Sequence, residues 1–171
     1  TATGGNSTGI VGSGGSGIHS GGDVTISGGT VTATGGDSTS SVGSGGSGIS
    51  SNGSLTITGG ENDSLTAKGG SGRSGIFSSG GVTISGGTVT ATGGDSTGSD
   101  GSGGNGIYSR NGSIDLSGSL ELTAKAGSPN GKALSQNGIE LDPNTFKEKL
   151  DPGANIITKD ADLSLIHISE P

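Results

Sequence analysis

Apolar residues are sparse along this chain and fall at every second position. In the stretch 24–34 they are Val24, Ile26, Val31 and Ala33, separated by Thr, Ser and Gly. Alternation of this kind, rich in β-branched residues and bounded by Gly-Gly pairs, predicts short strands with one buried face. The pattern then repeats. Sixteen residues, VTISGGTVTATGGDST at 24–39, recur unchanged at 82–97. Between them lies a diverged copy, GISSNGSLTITGG at 48–60 followed by SLTAKGG at 64–70. A fourth follows as GIYSRNGSIDLSG at 106–118 and LTAKAG at 122–127. Each copy has a first strand, Gly-Ile-x-Ser, ahead of the two alternating ones. Gly-Ile pairs at 17–18, 48–49, 75–76, 106–107 and 138–139 space the copies 31, 27, 31 and 32 residues apart.

Aligned, the copies give five apolar columns: Ile18/Ile49/Ile76/Ile107/Ile139, Val24/Leu55/Val82/Ile114, Ile26/Ile57/Ile84/Leu116, Val31/Leu65/Val89/Leu122 and Ala33/Ala67/Ala91/Ala124. A flexible linker of similar composition has no reason to hold five columns in register, whereas a solenoid does, because each coil adds one layer to a continuous thin core. The expected fold is therefore all-β, a parallel, right-handed β-helix with three short strands and three faces per coil. About five coils, each rising ~4.8 Å, give a rod of roughly 24 Å. The constant Ala column marks a place too narrow for a larger side chain. The Gly-Gly pairs between strands are expected to supply corners of positive φ. The opening TATGG matches 32–36, which places Ala2 in the Ala column and predicts further coils upstream. Length varies between third strand and next first strand, long at 37–47 and 95–105 and short at 71–74. Loops on one side of a solenoid often form its binding edge.

The repeats occupy 1–127. Gly density falls from Ser128, and 128–160 is expected to hold a last coil, opened by Asn137-Gly138-Ile139-Glu140, and a cap over the open end. The segment Asp142–Leu150 reads as a short helical turn or a plain loop. Residues 161–171 form a tail, of which 163–171, LSLIHISEP, resembles translated adapter sequence rather than native protein.

Composition removes several functions. Gly (41), Ser (30) and Thr (19) make up about half of the 171 residues, and with no Cys there is neither a disulfide framework nor thiol chemistry. The formal charge is −7 with no basic patch, which argues against nucleic acid and against anionic membrane surfaces. No apolar run is long enough for membrane insertion. The acids Asp23, Asp37, Glu61, Asp63, Asp95, Asp100, Asp115 and Glu121 are scattered, and none recurs through successive coils in one column. Paired catalytic carboxylates are thus not expected, and neither is a Ser-His-Asp system, since His19 shares its slot with Ser50, Phe77 and Tyr108. The chain is read as not an enzyme. Asp95 and Asp100, in a Gly-rich loop, are the one weak Ca²⁺ candidate. Phe77 and Tyr108, turned outward beside the Ile column, can stack on sugar rings, with His19 in the same slot. Outward Thr30, Thr32, Thr34 and Thr88, Thr90, Thr92 form rows of the kind that order water on ice, interrupted by Lys68 and Lys125.

The units GIHSGGDVTISGGTVTATGG, GISSNGSLTITGG and GIFSSGGVTISGGTVTATGG resemble the "carbohydrate-binding domain-containing" β-helix family of bacterial secreted and cell-surface proteins. The resemblance covers roughly residues 1–140. It implies an extracellular, non-catalytic module that binds polysaccharide or a cell-surface glycan, in some members with calcium. That family often reads Gly-Asp-Asp-Gly-Ile-His-Ala-Asp around the first strand. Gly17, Ile18 and His19 match here, but the acidic positions are Ser or Gly. The alternatives are a passive structural stalk of a surface protein and, as a minor one, an ice-binding solenoid.

Overall fold

In the computed structural model, residues 1–9, 11–40, 43–96, 98, 101–161 and 166–169 are described. The chain winds into a parallel β-solenoid of about five coils. Its strands are β1 (Ala2–Thr3), β2 (Ile18–Ser20), β3 (Val24–Ile26), β4 (Thr30–Thr34), β5 (Ile49–Ser51), β6 (Leu55–Thr58), β7 (Ser64–Lys68), β8 (Ile76–Ser78), β9 (Val82–Thr92), β10 (Ile107–Ser109), β11 (Ile114–Lys125), β12 (Leu134–Gln136), β13 (Ile139–Glu140), β14 (Asn155–Lys159) and β15 (Ile166–Ser169). One sheet stacks the first strands in the order β13-β12-β10-β8-β5-β2. A larger sheet carries the second and third strands. In the later coils these two strands run on as the single long strands β9 and β11. The second and third faces therefore belong to one sheet.

The apolar columns are the interior. Ala2 pairs with Ala33, then Ala67, Ala91 and Ala124 follow in register, and the last coil closes that column with Thr158. Ile49, Ile76 and Ile107 are fully buried, as are Leu55, Val82, Ile84 and Leu116. In the first coil Ile18, Val24 and Ile26 are only partly buried, because no first- or second-strand layer covers them, and so is Val31, because β1 pairs with β4 only at Ala33 and Thr34. One column differs from the alignment. The partner of Ile107 is Leu134, not Ile139. Asn137 and Gly138, at φ 52° and 79°, turn the chain back into an antiparallel hairpin, and Ile139 is left 69% exposed. Asn-Gly is the strongest two-residue hairpin signal, and here it overrides the Gly-Ile match.

A second inward column is polar. Ser51, Ser78 and Ser109 are completely buried beside the Ile column. The Ser51 hydroxyl donates to Gly22 O at 2.7 Å, Ser78 to Gly53 O at 2.8 Å and Ser109 to Gly80 O at 2.7 Å, each reaching the turn of the preceding coil. Buried hydroxyls are tolerated only when bonded, and this column is satisfied by backbone. In the last coil Gln136 takes the place of the Ser, its Oε1 accepting from Ile114 N at 2.9 Å.

The glycine pairs do two separate jobs. Gly28-Gly29 and Gly86-Gly87 have positive φ and form corners between second and third strands. The pairs after the third strand and before the first strand do not. They interleave as stems: Gly36 N donates to Gly15 O, Gly46 N to Gly36 O and Gly70 N to Gly46 O, each at 2.8 Å. A stem leaving one coil thus lies directly on the stem entering the next, backbone against backbone. These positions need glycine for lack of room, not for a left-handed turn.

Within the last coil, between β13 and β14, Pro143–Lys149 form a 3-10 helix whose N-cap, Asp142, accepts from Asn144 N at 2.9 Å. Buried Phe146 and Leu150 join the core there and cover its open end. Within the tail, β15 pairs antiparallel with β14, and Ile168 is buried against it.

Candidate functional site

The predicted contact slot is real as a row. His19 pairs with Ser50, Ser50 with Phe77, Phe77 with Tyr108 and Tyr108 with Ser135. Phe77 and Tyr108 lie with ring centroids 5.6 Å apart and planes tilted by 58°. The Arg110 guanidinium sits 5.0 Å from the Phe77 centroid, a cation–π contact that occupies one face of that ring. His19 is exposed and two coils away, about 9.6 Å at one coil per ~4.8 Å. The slot therefore brings Phe77, Tyr108 and Arg110 together and leaves His19 outside the cluster.

A larger feature runs on the loop side. There the ends of the third strands and the residues that follow them line a groove of about 990 Å³. Asp37, Ser38, Thr39 and Ser40 line it at one end, and Lys159 and Asp160 at the other. One wall is the outward column Lys68/Thr92/Lys125/Lys159, which strand pairing carries in register from β7 to β14 and which Thr34 of β4 continues beyond the groove. The adjacent column Thr32/Thr66/Thr90/Thr123 is unbroken through four coils, so lysine interrupts only the outer Thr row.

The carboxylates along the groove have structural partners. Asp37 Oδ1 accepts from Ser71 N at 3.0 Å and from its hydroxyl at 3.2 Å. Asp95 Oδ1 accepts from Ser128 N at 2.8 Å, and in the first coil Asn6 Oδ1 accepts from Asp37 N at 2.8 Å. Asn6, Asp37 and Asp95 thus share one position, after the Gly-Gly stem, and cap the next coil's amide. The recurring triplet Gly-Gly-Asn/Asp at 4–6, 35–37 and 93–95 carries this signal, and the alignment by apolar columns passes over it. Asp160 is buried, and its Oδ1 accepts from Ala133 N. Of the two Ca²⁺ candidates, Asp95 is engaged in this way and Asp100 lies outside the described residues. Among the described residues no three His, Cys, Asp or Glu side chains gather in a cluster able to hold a metal ion.

At the opposite corner Asp63 accepts from Gly29 N at 2.6 Å and from Gly60 N at 2.8 Å, and these two amides, Gly60 first, hold its carboxyl below the ordinary aspartate range. Hydrogen bonds to the ionised form favour it. A carboxyl with a depressed folded-state pKa adds stability above its unfolded value, near 3.9, and that contribution is lost as pH falls through the lower folded one. Asp63→Asn, which offers one acceptor oxygen where the carboxylate offers two, is expected to melt below wild type at pH 7. The gap narrows as pH falls below the unfolded value and closes once it has passed the lower folded one, where the wild-type carboxyl is protonated. Melting curves across pH check this, and a gap independent of pH contradicts it.

No protein-family model matches the chain, and neither a curated protein nor a solved structure matches it.

Proposed function

We propose that this solenoid is a non-catalytic polysaccharide-binding module of an extracellular, cell-surface protein, and that the loop-side groove seats one polymer strand along the solenoid axis. The observation that carries this reading is the groove itself. It is open, extends over successive coils from Asp37 to Lys159, and is lined by hydroxyls, ammonium groups, carboxylates and backbone. Its length, four coil steps of ~4.8 Å, is about 19 Å. A linear polymer is the ligand shape that fits such a trough, and the polar lining suits sugar hydroxyls. The Phe77–Tyr108 pair is the secondary contact, since Arg110 already covers part of it.

A glycan array with and without Ca²⁺ tests the reading, with Thr92→Tyr as the blocking variant. Thr92 sits midway along the groove wall on an outward position, so the larger ring fills the trough without entering the core. Wild type is expected to retain at least one plant or microbial polysaccharide, and Thr92→Tyr to lose about tenfold in affinity, ~1.4 kcal/mol, with its melting temperature unchanged. Absence of any bound glycan favours the stalk reading. That reading has its own support in the strands within 24–34 and 82–92, which present the same outward side chains two coils apart. The unbroken Thr column supports ice binding as a minor reading, for which unshaped crystals on a cold stage are the contrary result.

A further inference from the structure

We infer that Asn137 is a site of spontaneous covalent modification, where the chain converts its own Asn-Gly turn into isoaspartate and thereby opens the β12–β13 hairpin. The inference stands apart from the groove and from what it binds. Asn-Gly dipeptides occur five times, at 52–53, 105–106, 111–112, 130–131 and 137–138. In each, the glycine leaves its own amide nitrogen unshielded by a Cβ, so the sequence alone makes all five candidates. The reaction needs the glycine N to lose its proton to solvent and attack the Asn Cγ. The Cγ–Nδ2 bond breaks and the nitrogen leaves as ammonia. The cyclic imide then takes up water at one of its two carbonyls. Opening at one gives aspartate; opening at the other gives isoaspartate, with the main chain routed through the former side chain. Water enters, ammonia leaves, and nothing is oxidised or reduced.

The fold locks four of the five. Asn105 Oδ1 accepts from Lys132 N at 2.9 Å, while Gly106 N donates to Lys132 O at 2.9 Å. Gly53 N donates to Gly22 O at 3.0 Å and Gly131 N to Gly127 O at 3.2 Å. Ring closure also swings the glycine, and there is no room for that at four sites. A Cβ at Gly53, Gly106, Gly112 or Gly131 would meet another segment at 2.1, 2.6, 2.4 or 2.3 Å. At Gly138 it would meet nothing within 4 Å. Asn137 and Gly138 are both exposed, and among the described residues neither the Asn137 side chain nor Gly138 N has a hydrogen-bond partner.

The same two residues hold the hairpin. Ser135 pairs with Glu140 and Gln136 with Ile139 across a two-residue loop, with φ 52° at Asn137 and 79° at Gly138. Such a loop needs positive φ at both positions, and an extra methylene in the main chain does not keep that geometry. Just past β13, Leu141 N donates to Leu134 O at 3.0 Å and its side chain packs on the core. Isoaspartate at 137 therefore frees β13 and uncovers the core beside Leu134.

The full chain is aged in mildly alkaline buffer, with and without urea, and digested after lysine and arginine, which puts the five sites in five separate peptides. Mass spectrometry counts the replacement of NH by O at each site. A protease that cuts before aspartate but not before isoaspartate separates the two products. In the folded chain Asn137 is expected to react at least about tenfold faster than Asn52, Asn105, Asn111 or Asn130, because those four wait for local opening. In urea the five rates are expected to converge. Isoaspartate at 137 is expected to speed hydrogen exchange at the Leu141 amide about tenfold. Asn137→Gly keeps a dipeptide that favours the same turn but carries no side-chain amide, and its Leu141 exchange is expected to stay constant on ageing. Freshly prepared Asn137→Asp adds the charge without lengthening the main chain, and is expected to exchange like fresh wild type. Another of the five leading in the folded chain, equal rates at all five there, or isoaspartate at 137 with unchanged Leu141 exchange overturns the inference.

Discussion

Gly46→Ala is expected to destabilise the solenoid by at least ~3 kcal/mol, whereas Gly22→Ala leaves stability within about 1 kcal/mol of wild type. The two glycines look alike in the sequence, since each is the second of a Gly-Gly pair. They differ in what surrounds them. A Cβ at Gly46 would press into the backbone of the preceding coil, overlapping Gly15 and coming within 2.6 Å of Ser16 N. Those atoms cannot swing aside like the end of a side chain. Gly15 O accepts from Gly36 N at 2.8 Å, so moving it breaks the amide chain that joins successive stems. A Cβ at Gly22 meets nothing within 4 Å, and the residue does not have positive φ. There, removing unfolded-state freedom acts in favour of the fold. Urea unfolding of both variants, compared at unchanged m value, measures the difference. A Gly46→Ala midpoint equal to wild type would mean that the stems do not interleave.

The apolar columns were legible because a solenoid repeats its interior at fixed spacing. Residues that share a column share an environment, so Val31, Leu65, Val89 and Leu122 could be aligned without any structure, and each sits one layer above the next. The stems were not legible in the same way. Gly-Gly at 28–29 and Gly-Gly at 35–36 are identical dipeptides, yet the first needs positive φ and the second needs the absence of a Cβ. Local sequence does not say which, because the second requirement comes from a neighbouring coil. The groove was legible only as a loop edge of variable length. Its wall came from the outward positions Lys68 and Lys125, which in the alignment stand out merely as departures from Thr, and from Lys159, which joins them only through the pairing of β14 with β11. The buried Ser column was visible as the last letter of Gly-Ile-x-Ser. An inward Ser is informative only once the carbonyls it serves, at Gly22, Gly53 and Gly80, are known to lie in the coil before.

Leu134 and Ile139 give the sharpest contrast between alignment and packing. Leu134→Ala is expected to cost about 2–5 kcal/mol, the range for emptying a fully buried Leu site, and Ile139→Ala to stay within about 0.5 kcal/mol of wild type. The Gly-Ile pairing puts Ile139 beneath Ile107 and predicts the reverse order. Two local facts decide against it. The segment between β11 and β12 is short, so the chain re-enters the first face at Leu134, with buried Ala133 where earlier coils place Gly106 and Gly75. Asn137-Gly138 then reverses the chain, and the strand that follows runs antiparallel, with Ile139 opposite Gln136. Reversal ends the parallel stack on this face, leaving Pro143, Phe146 and Leu150 to cover the end. Leu134 is thus the last residue of the first-face column and carries the load of an interior residue although it stands next to the cap. Denaturation of the two alanine variants side by side is sufficient, because a loss at Ile139 with none at Leu134 would require the final coil to be threaded one hairpin later than the pairing Ile107–Leu134 allows.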